Sequence, residues 1–216
     1  MKNAAIALAS SVALLALAGC ARDGELDVSS GVGVTATRSG CPIVAVPDGT
    51  GDITLFNPES SQEASAIDVT ASLTKVTPTC SEGGDKIYSE ATFEVRALRT
   101  DVRGDRTVTL PYFSTVLQGG SAVVAKRVGN VTLQFADGQA RASGTGKVAS
   151  YIDTASTRLP ADVMEKLTKK RKPGDVDAAL DPMADPQVKA AVVRATFEML
   201  VGFQLTEDQL RYNVTR

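Results

Sequence analysis

Hydrophobic and polar residues alternate with a period of two through the middle of the chain. Ile67, Val69, Ala71 and Leu73 interleave with Asp68, Thr70, Ser72 and Thr74. Ala91, Phe93, Val95 and Ala97 interleave with Thr92, Glu94 and Arg96. Successive side chains of a strand point to opposite faces, so each segment predicts a strand with one dry and one wet face. The same texture predicts strands at 43–46, 52–56, 106–117, 122–134 and 140–152. Turn-forming steps separate them: Pro47-Asp48-Gly49, Asn57-Pro58, Gly83-Gly84, Gly104-Asp105 and Gly119-Gly120. Asp137-Gly138 is a two-residue hairpin signal. It predicts Phe135 opposite Ala140, Leu133 opposite Ala142 and Val131 opposite Gly144, large against small on one face.

Several short antiparallel strands at this spacing predict an immunoglobulin-like antiparallel β-sandwich over residues 41–157, by size and strand count. After about residue 158 the period lengthens. Leu159-Pro160 opens a helical pattern carrying Val163, Met164 and Leu167, and Pro173-Gly174 closes it. Asp185-Pro186 pairs an N-cap with proline at the first helical position. The helix it opens is expected to run to about Gly202. Val188, Val192, Ala195 and Met199 form one stripe, and Val193, Phe197, Leu200 and Val201 a second. Two apolar stripes imply burial around most of the circumference. Thr206 and Gln209 form a capping box for a last short helix. Residues 158–216 are therefore expected to be a C-terminal helical extension packing on the sandwich.

The N-terminal segment has a different pattern. Lys2 precedes an uncharged Ala/Leu-rich stretch that ends in Leu17-Ala18-Gly19-Cys20. A positive start, a short apolar core and small residues at a cut make a secretory signal, and the core is shorter than the roughly 20 residues a spanning helix needs. Leu, a small residue, Gly and Cys at these positions resemble the lipobox of bacterial lipoproteins. The resemblance implies a signal peptide over 1–19, cleavage after Gly19, and lipid on Cys20. It also implies a home on the periplasmic face of the cell envelope. Ala21, where an Asp would resemble an inner-membrane retention signal, favours the outer membrane over the inner. Residues 20–40, rich in Gly, Ser and Thr, then read as a lipidated N-terminus and flexible tether. As a random coil, 20 residues span about 25 Å root-mean-square. Asp52-Ile-Thr-Leu-Phe56, Leu110-Pro-Tyr-Phe113 and the tail are similar to uncharacterised lipoproteins of Gram-negative bacteria, a resemblance that brings no activity with it.

The chain has 23 basic and 25 acidic side chains, which gives no global field for nucleic acid. It contains no histidine. That excludes Ser-His-Asp and Cys-His catalysis, imidazole metal ligands and a histidine pH switch. With Cys20 lipidated, Cys41 and Cys80 remain. In an oxidising compartment an even pair predicts a disulfide, two separate buried thiols being the alternative.

The densest charge feature is Lys166, Lys169, Lys170, Arg171 and Lys172. It is a candidate contact for anionic headgroups or other envelope polyanions, and equally a solvated run near a helix C-terminus. Asp48, Gly49, Gly51 and Asp52 lack the ligand pattern of a calcium loop and read as a turn. Ser114, Ser143 and Ser150 lack a nucleophile-elbow setting. Asn130-Val-Thr132 and Asn213-Val-Thr215 match a glycosylation pattern that the lipobox makes irrelevant. No catalytic residue, metal ligand or cofactor is assigned.

The sequence-based expectation is a non-enzymatic, lipid-anchored lipoprotein, a binding or structural accessory of the envelope. Its partners would be membrane lipid through Cys20 and an envelope protein or polymer, with no nucleic acid. The alternative is a binding module for a small hydrophobic or lipidic ligand between sheet and C-terminal helix. A Ser-Lys or paired-carboxylate hydrolase is the remote third.

Overall fold

A computed structural model describes residues 38–215. Two compact units divide them. One comprises residues 38–169 and 181–215; the other, in its described part, is residues 170–180. The lipobox, Cys20 and most of the expected tether lie outside the described residues.

The larger unit is a β-sandwich. Its strands are β1 (Ile43–Ala45), β2 (Asp52–Phe56), β3 (Ile67–Gly83), β4 (Lys86–Arg99), β5 (Arg106–Gln118), β6 (Ala122–Phe135), β7 (Arg141–Asp153) and β8 (Phe197–Phe203). They form two four-stranded sheets, ordered β1-β8-β5-β6 and β2-β3-β4-β7. Every pairing is antiparallel except β1 with β8. The period-two pattern explains the layers. On β4, Ile87, Ser89, Ala91, Phe93, Val95, Ala97 and Arg99 are all buried. The opposing sheet contributes Leu110, Leu133, Phe135, Met199 and Phe203, each nearly inaccessible to water. Fully burying one such side chain is worth roughly 1.5–3 kcal/mol.

Two aromatic side chains lie over glycines on neighbouring strands. Phe93 pairs with Gly146, and Tyr112 with Gly129. A Cβ on Gly146 would fall 2.2 Å from Phe93 Cζ, and one on Gly129 2.6 Å from Tyr112 Cζ. The two rings meet edge to face across the sandwich, centroids 5.0 Å apart.

The expected strands form, and the expected hairpin does not. β6 pairs with β5 and β7 with β4, so Asp137-Gly138 turns a corner between sheets. Phe135 lies opposite Arg106 and Ala142 opposite Ala97. The large-against-small match is nevertheless real, as a contact across the core. A Cβ on Gly144 would stand 3.0 Å from Val131 Cγ2 and 3.2 Å from Leu133 Cδ2. Tertiary bonds hold the corner: Asp137 N–H donates to Asp105 Oδ1, and Gly104 N–H to Asp137 Oδ1.

Residues 158–216 also differ from the expected extension. Short helices α1 (Thr154–Thr157) and α2 (Ala161–Thr168) follow β7, and α3 spans Pro186–Arg194. Asp185 caps α3 by accepting from Gln187 N–H at 2.8 Å, with Pro186 in the first turn as expected. Val163 and Leu167 of α2 pack with Val188 and Ala191 of α3 in a small second core. The helix then stops at Ala195, where ψ is 1°. Residues 197–203, expected as its second half, are instead β8, between β1 and β5 in sheet one. Phe197, Met199, Val201 and Phe203 alternate into the core. A run apolar at almost every position satisfies both periods, and seven residues between sheet neighbours suit a buried strand. Only α4 (Glu207–Thr215) is a helix at the C-terminus proper.

Cys41 and Cys80 come together as a disulfide-capable pair, Cα atoms 6.1 Å apart. Beside them the end of the expected tether is bound to the sandwich. Gly40 N–H donates to Glu82 Oε1 at 2.9 Å, and Arg38 Nη2 to Thr196 Oγ1 at 2.9 Å. Residues 38–40 therefore belong to the folded domain.

Candidate functional site

An open groove of about 510 Å³ lies between β2 and α4. Local sequence builds it from three sides. β2 is a short strand whose pairing with β3 shifts register between Leu55 and Phe56, leaving Asp68 of β3 as the extra residue. The cis Asn57-Pro58 peptide follows, and the next loop brings Glu59 and Gln62 to the rim. The chain returns through Asn57 N–H to Ala66 O at 2.8 Å and enters β3 at Ile67.

α4 makes the opposite wall. Its capping box forms as expected: Thr206 N–H donates to Gln209 Oε1 at 2.9 Å, and Gln209 N–H to Thr206 Oγ1 at 3.2 Å. The helix is docked by Asn213, whose Nδ2 donates to Gly49 O at 2.8 Å and Asp52 O at 2.7 Å. Gly49 has a φ of 75°, and a Cβ there would meet Val214 Cγ1 at 2.9 Å, so helix and turn require glycine. Tyr212 meets Phe56 edge to face at 5.1 Å, with rings 87° apart.

Arg106 of β5 reaches Asp68 of β3 with both terminal nitrogens, at 2.6 Å each. This bidentate bridge joins the two sheets at the groove. Its hydrogen bonds hold the Asp68 carboxyl below the ordinary aspartate value, against the opposing effect of burial. Asp68 is therefore a permanent carboxylate at neutral pH and has no proton to give. Thr54 is 3% exposed and still lines the groove. Asp208 sits at the mouth, 3.2 Å from Arg211, both well exposed.

The arrangement offers hydrogen-bond donors and acceptors, carboxylates and two aromatic rings around an open space. Among the described residues no three Cys, Asp or Glu side chains cluster within reach of a metal ion. The sequence reading missed the groove. Asn213 was noticed only as part of a glycosylation-like pattern, and nothing local ties it to residues 49–52. The strand at 52–56 and the capping box at Thr206 and Gln209 were the signals that lay on its walls.

The residues singled out by sequence fall elsewhere. Cys20 lies outside the described residues. Lys166, on α2, pairs with Asp185 at 3.0 Å and holds that carboxyl below its ordinary value. Lys169 is exposed at the end of α2. Lys170, Arg171 and Lys172 belong to the other unit. There Arg171 is 4% exposed, with Asp177 Oδ2 at 3.5 Å, so it is not presented as a surface cation. Lys172 N–H donates to Asp175 at 2.8 Å, tying the turn through Gly174. Of the five, Lys166 and Arg171 thus stand beside carboxylates of their own units. Asp52 of the Asp48–Asp52 turn accepts from Ser72 Oγ at 2.5 Å. Ser114 and Ser150 are buried inside the sandwich at 4% and 6% exposure, and Ser143 lies on the edge strand β7. The helix expected to run to about Gly202 is a strand over Phe197–Phe203, so the open space beside a C-terminal helix lies instead between β2 and α4. Compared with family models, with curated proteins and with solved structures, the chain matches none.

Proposed function

We propose that this chain is a lipid-anchored lipoprotein of the periplasmic face, and that its sandwich binds an envelope partner without catalysing a reaction. The anchor rests on Leu17-Ala18-Gly19-Cys20. The observation that carries the binding role is the groove between β2 and α4: an open cleft of about 510 Å³ lined by polar, charged and aromatic side chains on the sandwich. Rigid scaffolds with a few convergent polar groups are the usual setting of recognition sites. Two features support a non-catalytic role. The chain lacks histidine. The most buried carboxylate of the groove, Asp68, is locked as an ion by Arg106 rather than poised to exchange a proton.

The experiment has two arms. Cys20→Ala is expected to leave an unprocessed precursor and abolish palmitate labelling; a processed, membrane-held variant would refute the anchor. A photo-crosslinking amino acid at Gln62, on the groove rim, is expected to capture one envelope component in cells. Capture from Gln62 no stronger than from a position on the far edge strand β6 would refute the binding role.

A further inference from the structure

We propose that the free edge of β6, over Ala125–Asn130, binds an extended acidic peptide segment as an added antiparallel strand. This surface is separate from the groove between β2 and α4 and does not depend on it.

Four strands end the two sheets: β1 and β6 in one, β2 and β7 in the other. Three of these edges are short or blocked. β1 spans three residues. β2 lies under α4, whose Asn213 Nδ2 donates to the Asp52 carbonyl at 2.7 Å. At β7 the Tyr112 hydroxyl donates to the Lys147 carbonyl at 3.1 Å. β6 is 14 residues long and contains no proline. Its pairing with β5 leaves Val124 as an extra residue and is regular from Ala125 to Phe135. Apart from that pairing, the backbone of 125–130 makes no hydrogen bond among the described residues. A strand at the end of a sheet turns alternate N–H and C=O groups away from its neighbour, where another strand can take them. Lys126, Arg127 and Val128 are all exposed, so neither face of the edge is covered.

Charge names the occupant. β6 carries Lys126 and Arg127 and no acidic residue. Neither cation makes an ion pair among the described residues. Arg127 has the inward parity of Val131 and Leu133, yet it borders an open hollow of about 250 Å³ between β6 and β7. Lys147 is the other charged residue lining that hollow, and no carboxylate lines it. An added strand sends successive side chains to opposite faces. Of two adjacent acids, one therefore meets Arg127 at the hollow and the other meets Lys126 on the outer face. An apolar residue just before them lies opposite Val128, which is 59% exposed. A second copy of β6 is excluded by the same charges. In an antiparallel pair about any residue from 125 to 128, a cation would stand opposite or diagonal to its own copy, which opposes pairing.

The test titrates the full-length chain with a blocked peptide of about seven residues, threonines around a valine followed by two glutamates. NMR shifts and hydrogen exchange of the Ala125–Asn130 amides are the readout, and saturable shifts with slowed exchange are expected. Glutamine in place of both glutamates is expected to weaken binding about tenfold, since two opposed charge pairs are lost. N-methylation of both glutamate amides keeps the charge and removes a ladder donor, and is expected to weaken binding about tenfold as well. Arg127→Glu is expected to lose the parent peptide with unchanged thermal melting, and to recover a peptide whose first glutamate is lysine. Equal binding of the glutamine or the N-methylated peptide, or no binding of the parent, overturns the proposal. Sedimentation as a dimer that Val128→Lys dissociates would assign the edge to a second copy and overturn it too. In the crosslinking test of the groove, the reference on β6 is Gln134, four residues beyond Asn130. It lies about 13 Å further along the strand, so failure at either surface leaves the other standing.

Discussion

Arg99 offers the sharpest test of how the sandwich is held. It is 2% exposed, at the end of β4, on the parity that faces the core. Its guanidinium donates four hydrogen bonds, all to backbone carbonyls: Nε to Gln139 at 2.9 Å, Nη1 to Gly104 at 2.9 Å, and Nη2 to Val102 at 2.7 Å and Ala136 at 2.9 Å. The Phe135 ring lies 5.3 Å from its central carbon. One side chain thus clamps the β4–β5 loop to the corner where the chain passes from sheet one to sheet two. Arg99→Met keeps the stem and removes the clamp. Hydrogen bonds to a charged group are worth about 1.5–3 kcal/mol each, so four would total roughly 6–12 kcal/mol if independent. Two effects reduce that sum. The wild-type protein already bears the cost of desolvating the guanidinium, several kcal/mol. Gly104, Ala136 and Gln139 are exposed residues, so water can reach their carbonyls once the cation is gone. A net loss of about 4 kcal/mol remains, a large fraction of the 5–15 kcal/mol of an ordinary domain. At roughly 2–4 °C per kcal/mol for a domain of this size, the melting temperature falls by about 10 °C. Arg99→Lys has three donors on one atom and cannot span four carbonyls, so it should recover about half the loss. Urea unfolding followed by far-ultraviolet circular dichroism measures both, the chain having no tryptophan. An unfolding free energy for Arg99→Met within about 1 kcal/mol of wild type would refute the clamp.

Three further outcomes follow from the same geometry. Cys41 and Cys80 are 39 residues apart, and closing that loop stabilises by about 4 kcal/mol on the chain-entropy model; the double serine variant should lose most of this, and reductant should then have no further effect. Asp68 has a folded pKa depressed by Arg106, so its contribution is fully present above the unfolded value near 3.8 and is lost as pH falls through the lower folded value. The stability gap between wild type and Asp68→Asn should therefore be wide at pH 7 and narrow by pH 2.5, and an equal gap at both would contradict the bridge. Gly146→Ala would place a Cβ 2.2 Å from Phe93 Cζ and should cost about 1–3 kcal/mol; Phe93→Leu in the same chain should recover part of that loss, which a purely backbone effect at Gly146 would not allow.

Side-chain parity was the legible part of the fold. It placed every strand from β1 to β7 and assigned the inward faces of β4, β6 and β7. Parity does not say which strand lies beside which. Val131, Leu133 and Phe135 face the core whether β7 is their hydrogen-bonded neighbour or lies in the opposite sheet, so Asp137-Gly138 looked like a hairpin while making a corner. What decides between the two is tertiary: the bonds among Asp105, Asp137 and Gly104, and the four from Arg99. The same parity that marked Ala97 as inward also marks Arg99. A charged residue on a dry face, two positions beyond a run of core residues, is a sequence signal for a buried clamp. In β8 the ambiguity is of period. Leu200 and Gly202 between the buried odd positions make the run apolar all round, which a helix stripe and a central strand fit equally well.

The groove was illegible for a different reason. Its walls come from β2 near residue 54 and from a helix more than 150 positions later, joined by an asparagine that bonds two backbone carbonyls. Backbone acceptors carry no sequence identity, so no pattern in residues 49–52 announces a partner. Nor does the pattern of α4 tell a docking face from an ordinary polar one, since none of its residues is fully buried. The acids show the same limit. Glu59, Asp68 and Asp208 are unremarkable charges in a chain close to neutral, and only their convergence beside a spent arginine makes the site electronegative. The conspicuous lysine run is not one presented patch: Lys166 pairs with Asp185 and Arg171 is buried. Charge density along a chain and charge density on a surface are separate quantities. In this protein the fold withdraws part of the first from the surface and builds the second from residues that are far apart in sequence.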